Sequence, residues 1–216
     1  MNPVLDCRKD KDLNPDAPLH IAMDYNRRLH PIVVGQVTDK EMRILNGLHA
    51  KYPDKLKEAV KLFTQYYKYH KKKVVYYWFD QTAVGDDNDT RKCDDVVERL
   101  EAEGWVVIPQ YFGTAPGHET KYRMWSDLLS EEGKYPLIFR INRENCKHLL
   151  LSMGLAGAEQ RKDGFGKDKK SEKDPKFPAE ESTHYSDAMD MLAYGLLESP
   201  LDYTSIPSAR DMIVTR

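Results

Sequence analysis

The sequence predicts an α/β domain built on one mixed sheet, its first strands antiparallel and its later ones parallel, with helices on both faces. Two observations carry this. A pair of short, β-branched apolar runs opens the chain across a turn-sized gap, as a hairpin does. From residue 53 on, helical apolar spacing alternates with short apolar runs, the pattern of strands joined by covering helices.

The elements follow in order. Residues 1–18 are polar, with Pro3, Pro15 and Pro18 among alternating charges, and read as a linker or arm. Leu19–Asp24 is a short apolar run ending in an acid, and Pro31–Val37 is a second strand. Asn26–His30 forms the turn between them, and Met42–His49 is a third strand. From Pro53, the residues Leu56, Ala59, Val60, Phe63 and Tyr67 recur on one helical face, and this helix ends at Lys71-Lys72-Lys73. Val74–Asp80 is apolar on both faces, as a central strand must be. An acidic loop follows with Asp86, Asp87 and Asp89. Beyond it come a helix over 91–103, a strand over 105–109, a helix over 118–132, a strand over 137–141 and a helix over 142–155. The stretch 157–182 is rich in Lys, Asp, Glu and Gly and reads as a mobile loop. Residues 183–197 form the closing helix. The organisation is therefore an arm over 1–18, one domain over 19–200 and a tail over 201–216.

Composition narrows the function classes. The chain has 216 residues, 40% hydrophobic and 31% charged, enough for one sizeable core. No apolar run approaches the ~20 residues that span a bilayer, and the first ten residues contain no signal-peptide core. Cys7, Cys93 and Cys146 are far apart, which leaves neither a zinc ribbon nor a disulfide framework. Unpaired thiols fit a cytoplasmic location. The net charge of −2 does not advertise nucleic acid, so any such contact must come from local patches. Gly164-Phe165-Gly166-Lys167 has Asp168 where a phosphate loop needs Ser or Thr, so no ATP hydrolysis is expected.

Four acids stand out. Asp24 and Asp80 end strands, and Asp187 and Asp190 lie three apart in the closing helix, a spacing that puts both on one face. An acid at a strand end or in a first helical turn is common for reasons unrelated to chemistry. Asp190, however, lies inside the apolar run Met189–Tyr194, where an uncompensated charge is costly. Carboxylates gathered in this way suit two divalent ions of the Mg2+ or Mn2+ type, which together activate a water and stabilise a leaving oxygen in phosphodiester hydrolysis. Lys167, Lys169 and Lys170 precede the acidic helix and are the candidate contacts to a DNA backbone.

Three segments resemble a known family: His20-Ile21-Ala22-Met23-Asp24-Tyr25-Asn26, Val75–Asp80, and Thr183-His184-Tyr185-Ser186-Asp187-Ala188-Met189-Asp190 through Tyr194. Together they are similar to the nuclease domain of the large terminase subunit of tailed phages, a ribonuclease H-like family, over residues 19–198. The resemblance implies a ribonuclease H-like fold and an Mg2+- or Mn2+-dependent endonuclease that cuts concatemeric viral DNA during packaging. It implies Asp24, Asp80, Asp187 and Asp190 as catalytic and metal-binding residues. Many relatives carry Glu where Asp80 stands. The implied partners are double-stranded DNA, the terminase small subunit, the portal protein and an ATPase motor that this sequence lacks. The chain then reads as an excised domain or a stand-alone relative working in the host cytoplasm. The same helical acid pair occurs in Holliday-junction resolvases. A resolvase-like nuclease and a non-catalytic DNA- or portal-docking module are the alternatives that the sequence leaves open.

Overall fold

The computed structural model describes residues 6–198 except 27, 39, 52, 54, 85, 88, 89, 132–134, 136, 162 and 163. The tail over 201–216 and the acid Asp89 lie outside the described residues. The elements run β1 (Leu19–Met23), β2 (Leu29–Val37), β3 (Glu41–Lys51), α1 (Lys55–Tyr66), β4 (Val74–Phe79), the two-residue strands β5 (Asp86–Asp87) and β6 (Thr90–Arg91), α2 (Lys92–Ala102), β7 (Val106–Tyr111), α3 (His118–Ser130), β8 (Ile138–Ile141), α4 (Lys147–Leu155), β9 (Ala158–Arg161), β10 (Gly164–Lys167), α5 (Lys170–Lys173) and α6 (His184–Glu198).

Six strands form the main sheet in the order β7-β4-β1-β2-β3-β8. The first three are antiparallel neighbours, whereas β4, β7 and β8 each join a parallel partner. This is the mixed sheet, antiparallel first and then parallel, that the sequence led one to expect. Pro109 sits inside β7, which it can do because β7 is an edge strand whose outer backbone needs no partner.

Side-chain alternation divides the core in two. Ile21, Met23, Tyr77 and Phe79 face α1 and α2, packing with Ala59, Phe63, Tyr67 and Leu100. Ala22, Tyr76 and Trp78 face the other way, onto α3, α4 and α6, where they meet Met124, Leu149, Ala188, Met189 and Leu192. The central strands are thus apolar on both faces because both faces are covered. The aromatic run Tyr76-Tyr77-Trp78 is core. Gly195 lets α6 lie against the sheet: a Cβ there would stand 2.9 Å from both Cδ2 and Cζ3 of the Trp78 indole. The same indole donates from Nε1 to Nδ1 of His20 at 3.1 Å, and His20 stacks on Tyr76. Burial pushes the His20 imidazole down to about 3, so the ring is neutral.

Two polar segments are more ordered than their composition suggests. Residues 6–18 pack as a strap: the buried Gln36 amide donates to the carbonyls of Asn14, Ala17 and Pro18, and the Asp10 carboxylate accepts from Tyr66 and Asn145. The stretch 157–182, expected to be a mobile loop, is instead the β9–β10 hairpin followed by α5. Arg28 fixes its far end by donating to the carbonyls of Glu172, Asp174 and Phe177.

Two outcomes test this packing. In an open helix Gly→Ala gains about 1 kcal/mol, but here the methyl meets the indole. Gly195→Ala should therefore destabilise by about 1–3 kcal/mol in denaturant unfolding, the range for overpacking. The second concerns acid. His20 is held neutral in the fold, whereas the unfolded chain takes a proton below about 6.5, so stability falls as pH drops from there toward about 3. His20→Gln, which keeps an acceptor for Trp78, should reduce the slope of unfolding free energy against pH by about one proton, or about 1.4 kcal/mol per pH unit, between pH 6 and 4. An unchanged slope would show that His20 is not the titrating group.

Candidate active site

The carboxyl ends of β1 and β4 and the start of α6 meet at one edge of the sheet. Ala22 pairs with Trp78 in parallel register, so Asp24 and Asp80, each two residues further on, leave adjacent strands side by side. The Asp24 amide still donates to the Pro31 carbonyl at 3.3 Å, which keeps the residue tied to the hairpin. α6 packs across β1 and β2 and brings its first turn to Asp24. That turn is anchored from outside: the Ser186 amide, one of the N-terminal groups with no partner in its own helix, donates to the Ser152 hydroxyl of α4 at 2.9 Å.

Asp187 and Asp190 do share a face, and both reach one cation. The Lys167 ammonium, at the end of β10, donates to Asp187 Oδ1 at 2.8 Å, Asp190 Oδ2 at 2.7 Å and Ser186 Oγ at 2.9 Å. Lys169 takes the other oxygen of Asp187 at 2.5 Å and stands 3.3 Å from Glu172 Oε1. Asp190 is 3% exposed, and its second oxygen accepts from Trp125 Nε1 at 2.8 Å. Burial by itself would raise the Asp187 carboxyl, but Lys167 and Lys169 outweigh it and hold the group at about 2. Desolvation disfavours the ammonium of Lys167, and Asp190 and Asp187 more than restore it. Asp24 moves the other way: burial, reinforced by the Asp187 charge, raises it.

His184 is 1% exposed, with Nδ1 3.2 Å from Asp24 Oδ2 and 3.9 Å from Glu172 Oε2. Among the described residues neither of its ring nitrogens has a hydrogen bond of good geometry. It therefore sits beside the acids rather than capping the helix. A cleft of about 320 Å³, lined by Tyr122, Trp125, Met153 and Lys121, opens onto Asp190 and Lys167.

The structure brings Asp187 and Asp190 onto one ammonium and leaves Asp24 near enough to Asp187 to feel its charge, but among the described residues no three His, Cys, Asp or Glu side chains form a group that could hold a metal ion. Asp80 is a strand neighbour of Asp24, but its Oδ1 is engaged elsewhere: it accepts from the amide of Thr82 at 2.9 Å and from the Thr82 hydroxyl at 2.6 Å, capping a short 3-10 turn. Of the three lysines expected to meet a DNA backbone, Lys167 is 4% exposed and Lys169 also points inward, onto Asp187. Only Lys170 faces solvent. The reason is charge: two carboxylates on a packed helix draw the nearest cations. Glu172 and Arg28 carry no signal of this role in the sequence, and Lys167 and Lys169, expected at a DNA backbone, turn inward onto the α6 acids. A period-two signal was present, because Phe165 packs on Tyr122 and Lys167, two residues on, points the same way.

No protein-family model and no curated protein matches the chain. Solved structures do. The large terminase of the thermophilic bacteriophage D6E superposes with a TM-score of 0.52 at 12% identity, over 87% of this chain and 41% of that one. Its ADP complex gives 0.53 at 12% identity, over 84% and 40%. The large terminase nuclease of thermophilic phage G20c gives 0.47 at 18% identity, over 86% of each chain. This chain thus spans about two fifths of the length of the D6E protein. Among the described residues no helix is long and apolar enough to cross a membrane. The chain shares the fold of the matching two fifths of the D6E large terminase, with its own acidic helix at the carboxyl ends of the two central parallel strands.

Proposed function

We propose that this chain is a metal-dependent endonuclease that hydrolyses phosphodiester bonds in double-stranded DNA and cuts concatemeric viral DNA during packaging. The observation that carries the reading is the set of oxygens from Ser186, Asp187 and Asp190 gathered at 2.7–2.9 Å around one ammonium group. An ammonium is a stand-in cation here, and hard oxygen donors converging on it fit Mg2+ or Mn2+. Bound there, two such ions would activate a water and neutralise the leaving oxygen.

The chain's own residues then have distinct parts. Asp187 and Asp190 supply the metal-binding oxygens, with Trp125 fixing the orientation of Asp190. Asp24 adds its carboxylate from the end of β1, near enough to Asp187 for their charges to oppose each other. Asp80 stands one strand away. For it to join the site, its carboxylate must give up part of its hold on Thr82. Lys170, exposed and 3.2 Å from Asp168, is then the candidate lysine for a phosphate contact. An ATPase motor, the terminase small subunit, the portal protein and work in the host cytoplasm belong to this reading through the family resemblance.

The test is nicking of supercoiled plasmid in Mn2+ or Mg2+. Asp24→Ala should lose the activity. Asp187→Asn and Asp190→Asn keep side-chain size and should each lose more than the roughly 10–100-fold typical of residues that act only through a ligand. Circular dichroism should show both folded. Cleavage by Asp187→Asn at the wild-type rate, at matched metal concentration, would refute the assignment.

A further inference from the structure

We infer that Lys167 and Lys169 are exchangeable counter-cations, holding in this structure the two positions on the α6 carboxylates that divalent ions take when the site is loaded. This rests on the metal-dependent reading above and adds to it a competition built into the chain.

The geometry is that of a carboxylate bridging two cations. One oxygen of Asp187 takes Lys167 and the other takes Lys169. On one side Asp190 and Ser186 complete the oxygens around Lys167, and on the other Glu172 stands near Lys169. Two cations sharing one carboxylate is the charge pattern that two-metal phosphodiester chemistry requires. It is not the pattern of an ordinary buried pair, in which one ammonium meets one carboxylate. A Mg2+-type ion sits about 2.0–2.1 Å from its oxygens, and on the oxygens that now hold the Lys167 ammonium at 2.7–2.8 Å the two cations would repel each other strongly. Metal on Asp187 and Asp190 therefore requires Lys167 to leave.

The fold allows that departure. Among the described residues β10 pairs with β9 alone and belongs to no larger sheet. A lone two-stranded hairpin is marginally stable by itself. Besides the Lys167 contacts to α6, it packs laterally through Phe165 against Tyr122 of α3. Beyond α5 the chain is clamped by Arg28 on three carbonyls, so the hairpin can swing while the start of α6 stays in place.

Two measurements test this on the full chain. The first is calorimetric titration of Mn2+ into wild type, Lys167→Met and Asp187→Asn. If the competent state must first expel Lys167, apparent affinity is reduced by the fraction already open. Lys167→Met should then bind Mn2+ about tenfold or more tightly than wild type, and Asp187→Asn should lose the site. Lys167→Met should also melt lower than wild type without Mn2+ and gain more from its addition. Equal affinity for wild type and Lys167→Met would overturn the exchange while leaving the nuclease reading intact. Absence of Mn2+ binding from both would overturn both. The second measurement needs no variant. Hydrogen–deuterium exchange over residues 158–167 of wild type should quicken when Mn2+ is added, while the main sheet stays protected. Unchanged or slower exchange there would overturn the proposal, whether or not Lys167→Met folds.

Discussion

Two carboxylates one turn apart on a packed helix require cations, and much of the molecule is arranged to meet that demand. Asp190 is almost fully buried, and the Asp187 side chain is 17% exposed. The cost of stripping water from such groups reaches several kcal/mol per ion unless opposite charge and hydrogen bonds replace it. Lys167 supplies the charge to both, and Ser186, Trp125 and Lys169 occupy the remaining positions. The β9–β10 hairpin exists in this place because Lys167 must be delivered there. Arg28, on the β1–β2 turn, ties down the chain that follows. The same hairpin of the sheet thus presents Asp24 and secures the segment that neutralises its neighbours.

The sheet imposes the second constraint. Because β1 and β4 are parallel and in register, their carboxyl ends present Asp24 and Asp80 side by side. Because both faces of these strands are buried, α6 can approach from one side only, at a distance set by Gly195 against Trp78. A bulkier residue there would lift the helix and with it the acid pair. Core packing and the placement of Asp187 are therefore one problem.

Periodicity made most of the fold legible. The β-branched runs at 32–34 and 74–75, the helical stripe through Val60, Phe63 and Tyr67, and the acid spacing in α6 each state their structure in local terms. The segment 157–182 was not legible in that way, because its order comes from distant partners. Lys167 is fixed by residues 19–23 positions away, and the carbonyls of Glu172, Asp174 and Phe177 by Arg28, more than 140 positions away. Composition marks such a stretch as solvated, and only the tertiary charge balance reverses that. The strap over 6–18 was obscured for the same reason, its backbone being satisfied by the side chain of Gln36.

The acids do not share one environment, and this difference orders their roles. Asp187 is held low by two lysines, so it stays ionised across the ordinary pH range and attracts cations at all times. Asp24 is raised by burial and by the charge of Asp187, so its negative charge depends on what its neighbours hold. Added positive charge near Asp187 favours ionisation of Asp24, which in turn favours the positive charge; the two are thermodynamically linked. Asp80 instead accepts from the amide and hydroxyl of Thr82.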